Sequence, residues 1–99
     1  MSFDAHVRRA LDALPPDLAR GLENVAVVVE DENPDDPDLL GLYQGGDYGP
    51  DTVTIYRRPL EETFHDPAEL EREIRITVLH ELGHYFGLDE DRLAELGYD

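Results

Sequence analysis

The sequence predicts an α+β fold, one domain spanning residues 1–99. Apolar residues recur at helical spacing near the start and again in the last third. Between those regions lie three short stretches rich in β-branched residues. The order is helix, strands, then helices, not the strict alternation of a parallel α/β sheet. Ninety-nine residues suffice for one core with a thin stability margin.

Phe3, Val7, Ala10, Leu11 and Leu14 form the apolar stripe of a first helix, which Pro15-Pro16 ends. Asp17 to Leu22 adds a short helical turn. Val25 to Glu30 is continuous and β-branched, as a buried strand should be. Asp31 to Asp38 is an acidic loop punctuated by proline, and its carboxylate spacing matches no EF-hand. Leu39 to Gln44 reads as a second strand, followed by the turn residues Gly45 to Pro50. Thr52 to Arg57 alternates and reads as a third strand ended by Pro59. Arg57, Arg58 and that proline suit a sheet edge.

A short helical or irregular link covers Glu61 to His65. Asp66 then stands as N-cap, Pro67 at the first helical position and Glu69 as the partner in a capping box. Leu70, Ile74, Val78 and Leu79 give the helix its packing face, and Gly87 marks its stop. A small twisted sheet of about three strands should therefore pack against this helix and the N-terminal one.

Composition narrows the function. The formal charge is −16 and the pI about 4.3. Such a surface repels phosphate backbones and anionic lipids, which argues against nucleic-acid and membrane partners and favours cations or basic peptides. Cysteine is absent, so disulfides and thiolate metal sites are excluded. There is no apolar run of membrane-spanning length, and the amphipathic start does not resemble a signal peptide. A cytoplasmic location is the resulting expectation; oligomeric state is not legible.

The residues that carry chemistry lie between His80 and Asp91, reading HELGHYFGLDED. Residues i and i+4 share a helix face, so His80 and His84 can direct two imidazoles at one metal ion. Glu81 sits about 100° round the helix, placed to reach a water on that ion without ligating it. Zinc lowers the pKa of bound water from about 15.7 to about 7, and a neighbouring carboxylate can accept the proton. A bare HExxH pattern arises by chance in roughly 2% of chains of this composition. Its position on a well-capped helix strengthens it. His65 and His6 are isolated: the first reads as a surface residue, and the second has no motif around it.

With His80, Glu81, His84 and Gly87, the segment resembles the extended HExxHxxGxxH motif of metzincin-type zincin metallopeptidases. Glu90 stands where that motif has its third histidine. The wider resemblance is to a family of very small bacterial zincin-like metallopeptidases. It extends over Leu39 to Gly45 (LLGLYQG), Val53 to Glu61 (VTIYRRPLE), and HELGHYFGL with the acids and Arg92-Leu93 that follow. It implies a compact zincin-like domain with a mixed sheet, a Zn²⁺ cofactor and peptide or protein substrates.

The resemblance also implies a third metal ligand after the glycine turn. Glu90 comes first, with Asp91 and then Asp89 as alternatives; that family usually has aspartate at this position. The Met-turn of larger metzincins has no counterpart, since the one methionine is Met1. Leu93, Leu96 or Tyr98 would have to floor the site instead. Glu95 is the one residue that could play the downstream glutamate of gluzincins, and the intervening chain is short for it. Zincin proteases hold substrate against an edge strand beside the metal helix, and the resemblance makes Val53 to Arg57 the candidate.

The expected mechanism has zinc on His80, His84 and Glu90, with Glu81 as general base. Tyr85, Tyr48, Tyr98 and His65 are the candidates for stabilising the oxyanion. Two imidazoles and a carboxylate would also admit iron(II), cobalt or nickel. The alternative is a metal-binding regulatory or adaptor module that does no hydrolysis. Glu81 favours catalysis, because a purely structural site needs ligands but no base.

Overall fold

In a computed structural model of the chain, residues 2–85, 91, 94 and 95 are described; for Asp17, Leu18, His84 and Tyr85 this covers the backbone alone. The elements run α1 (Phe3–Asp12), α2 (Pro16–Arg20), a 3-10 turn (Gly21–Asn24), β1 (Val25–Glu30), β2 (Gly41–Gln44), β3 (Asp51–Tyr56), α3 (Arg57–Thr63) and α4 (Pro67–Tyr85). The α+β expectation holds, with a three-stranded mixed sheet.

The sheet order is β1-β3-β2. β3 pairs in parallel with β1, Val25 opposite Asp51 through Glu30 opposite Tyr56. On its other side it pairs antiparallel with β2, Gly41 opposite Ile55 and Gln44 opposite Thr52. The Val53–Arg57 stretch is therefore not the sheet edge that Arg57, Arg58 and Pro59 suggested. Thr54 is 4% exposed and Tyr56 3%, so both faces of β3 are covered and the alternation does not mark a wet face.

The arginines and the proline fall beyond the strand. Arg57 opens α3, and Pro59 occupies its third position, where a missing N–H costs no intrahelical bond. Arg57 bridges Asp31 at 3.0 Å and Glu61 at 2.5 Å, and Arg58 reaches Glu32 at 3.1 Å. Hydrogen bonds to Glu61 and Asp31 hold the Arg57 guanidinium above its ordinary pKa, with the Glu61 bond the larger cause. These contacts pin the start of the acidic loop to α3.

That loop, residues 31–40, is organised by Asn33. Its Oδ1 accepts from the N–H groups of Asp35 and Asp36 at 2.8 and 3.0 Å, and its Nδ2 donates to the Tyr56 hydroxyl at 3.0 Å. The second strand begins two residues later than the sequence suggested. Leu39 and Leu40 instead end the loop, where the Tyr56 N–H donates to the Leu40 carbonyl at 3.0 Å.

Asp51 closes the turn between β2 and β3. It accepts from the Tyr43 hydroxyl at 2.6 Å and from the Gly46 N–H at 2.9 Å. Both bonds stabilise the ionised carboxylate, the tyrosine bond more strongly, and lower its pKa from the ordinary 3.8. Gly46 is required by space: a β-carbon there would stand 2.5 Å from the Gly49 carbonyl oxygen.

α1 and α4 pack together on the sheet. Ser2 caps α1, its Oγ accepting from the Ala5 N–H at 3.2 Å, and Asp66 caps α4 through the Glu69 N–H at 3.0 Å. Val53, Ile55, Leu60, Ile74, Val78 and Leu82 are the largest fully buried side chains. His6, which the sequence left without a role, is buried at this seam. Its Nδ1 lies 2.5 Å from Glu71 Oε2, while Arg9 Nε meets the other carboxylate oxygen at 3.3 Å.

Candidate metal centre

α4 presents two adjacent stripes. Leu70, Ile74, Val78 and Leu82 follow one another every four residues and enter the core. Glu73, Ile76, Thr77, His80 and Glu81 follow the i, i+3, i+4, i+7, i+8 rule on the neighbouring face, and all five line one cleft of about 400 Å³. His80 and Glu81 are both half-buried in its wall. α4 continues unbroken through His84, so that residue's backbone lies one turn beyond His80, a rise of about 6 Å.

The facing wall comes from β2 and the loop before it. Gly41 is buried against the helix. A β-carbon added there would stand 2.6 Å from Thr77 Cγ2, 3.2 Å from the Thr54 carbonyl oxygen and 3.5 Å from Glu81 Cγ. The bare glycine thus lets the strand backbone close onto α4 beside Glu81. Among the described residues, β2 has β3 on one side and no strand on the other. Among the described residues the outer strand beside the helix is β2, which corrects the assignment of that role to Val53–Arg57.

A helix carrying HExxH beside an outer strand is what the resemblance implied, and comparison with known proteins decides the point. A family model described as zincin-like metallopeptidase matches residues 22–98.

The chain belongs to the zincin-like metallopeptidase family.

The fold is similar to a solved structure described as a conserved hypothetical protein from Thermus thermophilus, at 25% identity and a TM-score of 0.57, covering 99% of this chain and 100% of that one. No curated protein matches the sequence. Membership points to metallopeptidase-type or metal-binding chemistry.

Within this zincin-like domain the donor set suits zinc. His80 supplies a borderline nitrogen in the cleft wall, with a carboxylate beside it and no thiolate competing. Among the described residues no three His, Asp or Glu side chains are gathered as a metal cluster. The side chain of His84 and the proposed third ligand Glu90 lie outside the described residues, as do Asp89, Leu93, Leu96 and Tyr98. Asp91 and Glu95 are helical and exposed.

Of the oxyanion candidates, His65 precedes Pro67 at the far end of α4, about 20 Å along the axis from His80. It lines a separate hollow with His6 and Phe64, so it has no part in this site. Tyr48 is fully exposed in the hairpin turn. The sequence reading missed Gly41 and Thr77 as neighbours of Glu81. Thr77 was open to discovery, since it lies one turn before Glu81. The approach of Gly41 had no local signal.

Proposed function

We propose that this domain is a zinc-dependent metallopeptidase with Glu81 as its general base. One observation carries the reading: His80 and Glu81 share the wall of a cleft that the outer strand β2 borders through Gly41. His80 and His84, with Glu90 as third ligand, would hold the ion. Zinc bound there would supply Lewis acidity, polarising a peptide carbonyl and acidifying a water.

The protein's own groups do the rest. The outer strand β2 would support an extended peptide by strand addition, which accepts many side-chain sequences. Glu81 takes the proton of the attacking water as the new C–O bond forms. It then delivers that proton to the leaving amine as the C–N bond breaks. Gly41 of β2 lies against Thr77 of α4, one turn before Glu81, and this close approach sets the distance between the strand and the base.

The test is cleavage of a broad peptide library by the zinc-loaded protein, read by mass spectrometry, with Glu81→Gln as the control. Cleavage lost in the variant, with zinc retained, supports the reading. Equal cleavage by both proteins removes Glu81 as base, and no cleavage by either leaves a metal-binding module.

A further inference from the structure

The cleft extends well beyond His80 and Glu81, along the helix towards Glu73 and across to the acidic loop. Its volume of about 400 Å³ falls in the range of ligand-binding pockets. Its lining has two parts. Leu39, Leu40 and Ile76 supply apolar surface, while Asp36, Asp38 and Glu73 add carboxylates at the rim. Among the described residues no arginine lines it.

From this division we infer that the cleft is a side-chain subsite for an arginine or lysine of a peptide laid on β2, an inference that rests on the peptidase reading above. A long basic side chain has the same two parts as the cleft: an aliphatic stem and a cationic head. The stem lies against Leu39, Leu40 and Ile76, and the head reaches the carboxylates. An anionic side chain would meet like charges, and a neutral apolar one would leave the carboxylates without a counter-ion.

The carboxylates are available for this role. Arginine ion pairs among the described residues lie elsewhere, such as those of Arg57 and Arg58 with Asp31, Glu61 and Glu32 and of Arg9 with Glu71. Among the described residues, Asp36, Asp38 and Glu73 have no arginine partner. Asp36 accepts one backbone bond, from the Asp38 N–H at 3.2 Å, through a single oxygen. The Glu73 backbone carbonyl accepts from Thr77 Oγ1 at 2.8 Å. The rim is held in shape by Asn33 and by the bond from the Leu39 N–H to the Asp36 carbonyl, 3.1 Å, so little ordering cost falls on binding. The net charge of −16 acts in the same direction at long range.

The experiment measures binding rather than turnover. Zinc-loaded full-length protein carrying Glu81→Gln is titrated into dansyl-labelled octapeptides, followed by fluorescence anisotropy. The octapeptides have an alanine-serine background with a single Arg, Lys, norleucine or Glu moved through each position. At one position, Arg and Lys should bind about tenfold more tightly than norleucine, and Glu more weakly still. The preference should shrink with added salt and vanish in a protein also carrying Asp36→Asn, Asp38→Asn and Glu73→Gln.

Equal affinity for Arg and norleucine at every position overturns the inference without recourse to any cleft variant. So does a preference that survives neutralisation of the three carboxylates in a protein with an unchanged circular dichroism spectrum. Selective binding without cleavage by the unsubstituted protein would sink the peptidase reading alone. Cleavage without selectivity would sink this inference alone.

Discussion

The Cγ2 methyl of Thr77 stands 2.6 Å from the point a β-carbon on Gly41 would occupy, so β2 and α4 meet there at glycine distance. The Thr54 carbonyl oxygen, at 3.2 Å, closes the second side. Gly41→Ala must therefore push the strand from the helix or force Thr77 to move, at a cost of about 1–3 kcal/mol. In a domain of this size that lowers the melting temperature by several degrees, about 4–8 °C per kcal/mol. Adding Thr77→Ser deletes the offending methyl but keeps the hydroxyl that bonds the Glu73 carbonyl. Calorimetry should show recovery of most of the loss. A Gly41→Ala protein that melts like the parent would contradict the close approach.

Metal binding should also be visible in stability. His80→Ala and His84→Ala should each lose zinc by elemental analysis, whereas Glu81→Gln should retain it. Because binding to the folded state alone adds to its stability, EDTA should lower the melting temperature of the parent. It should leave that of His80→Ala unmoved. Tightly held stoichiometric zinc in a protein carrying both His80→Ala and His84→Ala would remove both ligand assignments.

The seam between α1 and α4 makes a separate prediction. His6 and Glu71 are mostly buried and in contact at 2.5 Å, and Glu71 also holds Arg9. Truncating either partner strands the other's polar atoms, at a cost of about 1–3 kcal/mol. A double-mutant cycle of His6→Ala with Glu71→Ala, measured by urea unfolding, should return a coupling of about 1 kcal/mol. Purely additive losses would mean that the contact contributes nothing specific.

Asp51 ties the β2–β3 turn to acidity. Its pKa is lowered in the folded protein, first by the Tyr43 hydroxyl and then by the Gly46 N–H. A lowered carboxylate stabilises the fold at pH above its ordinary value of 3.8, and that contribution is lost as pH falls through the lower folded value. Asp51→Asn should melt lower than the parent at about pH 6, with the gap closing as pH drops below about 4. A gap that persists or widens at low pH would show that the ionised form is not the one the turn holds.

Much of this protein was legible before any tertiary information. The capped helix with His80 and Glu81 on one stripe follows from local rules, because a helix converts sequence spacing into a face without help from distant residues. β1 was legible as a strand for a similar reason, since a continuous β-branched run needs no partner to be recognised. It is, however, an outer strand with Val28 exposed and not the buried one expected.

The order of the strands did not follow in that way. Arg57, Arg58 and Pro59 made β3 look like an edge, yet it lies at the centre of the sheet and Thr54 is buried. Whether a threonine faces water depends on what covers the sheet, and sequence alternation records only polarity. Nor could the sequence show Gly41 meeting Thr77, or Asp36 and Leu39 sharing a cleft with His80. Those pairs are separated by roughly 40 residues of chain, and folding alone decides such long-range approaches. The sequence by itself determined the capped helix and the face on which His80 and Glu81 stand. Only the tertiary structure decided which strand edge and which carboxylates stand opposite, because that depends on packing between segments that share no local pattern.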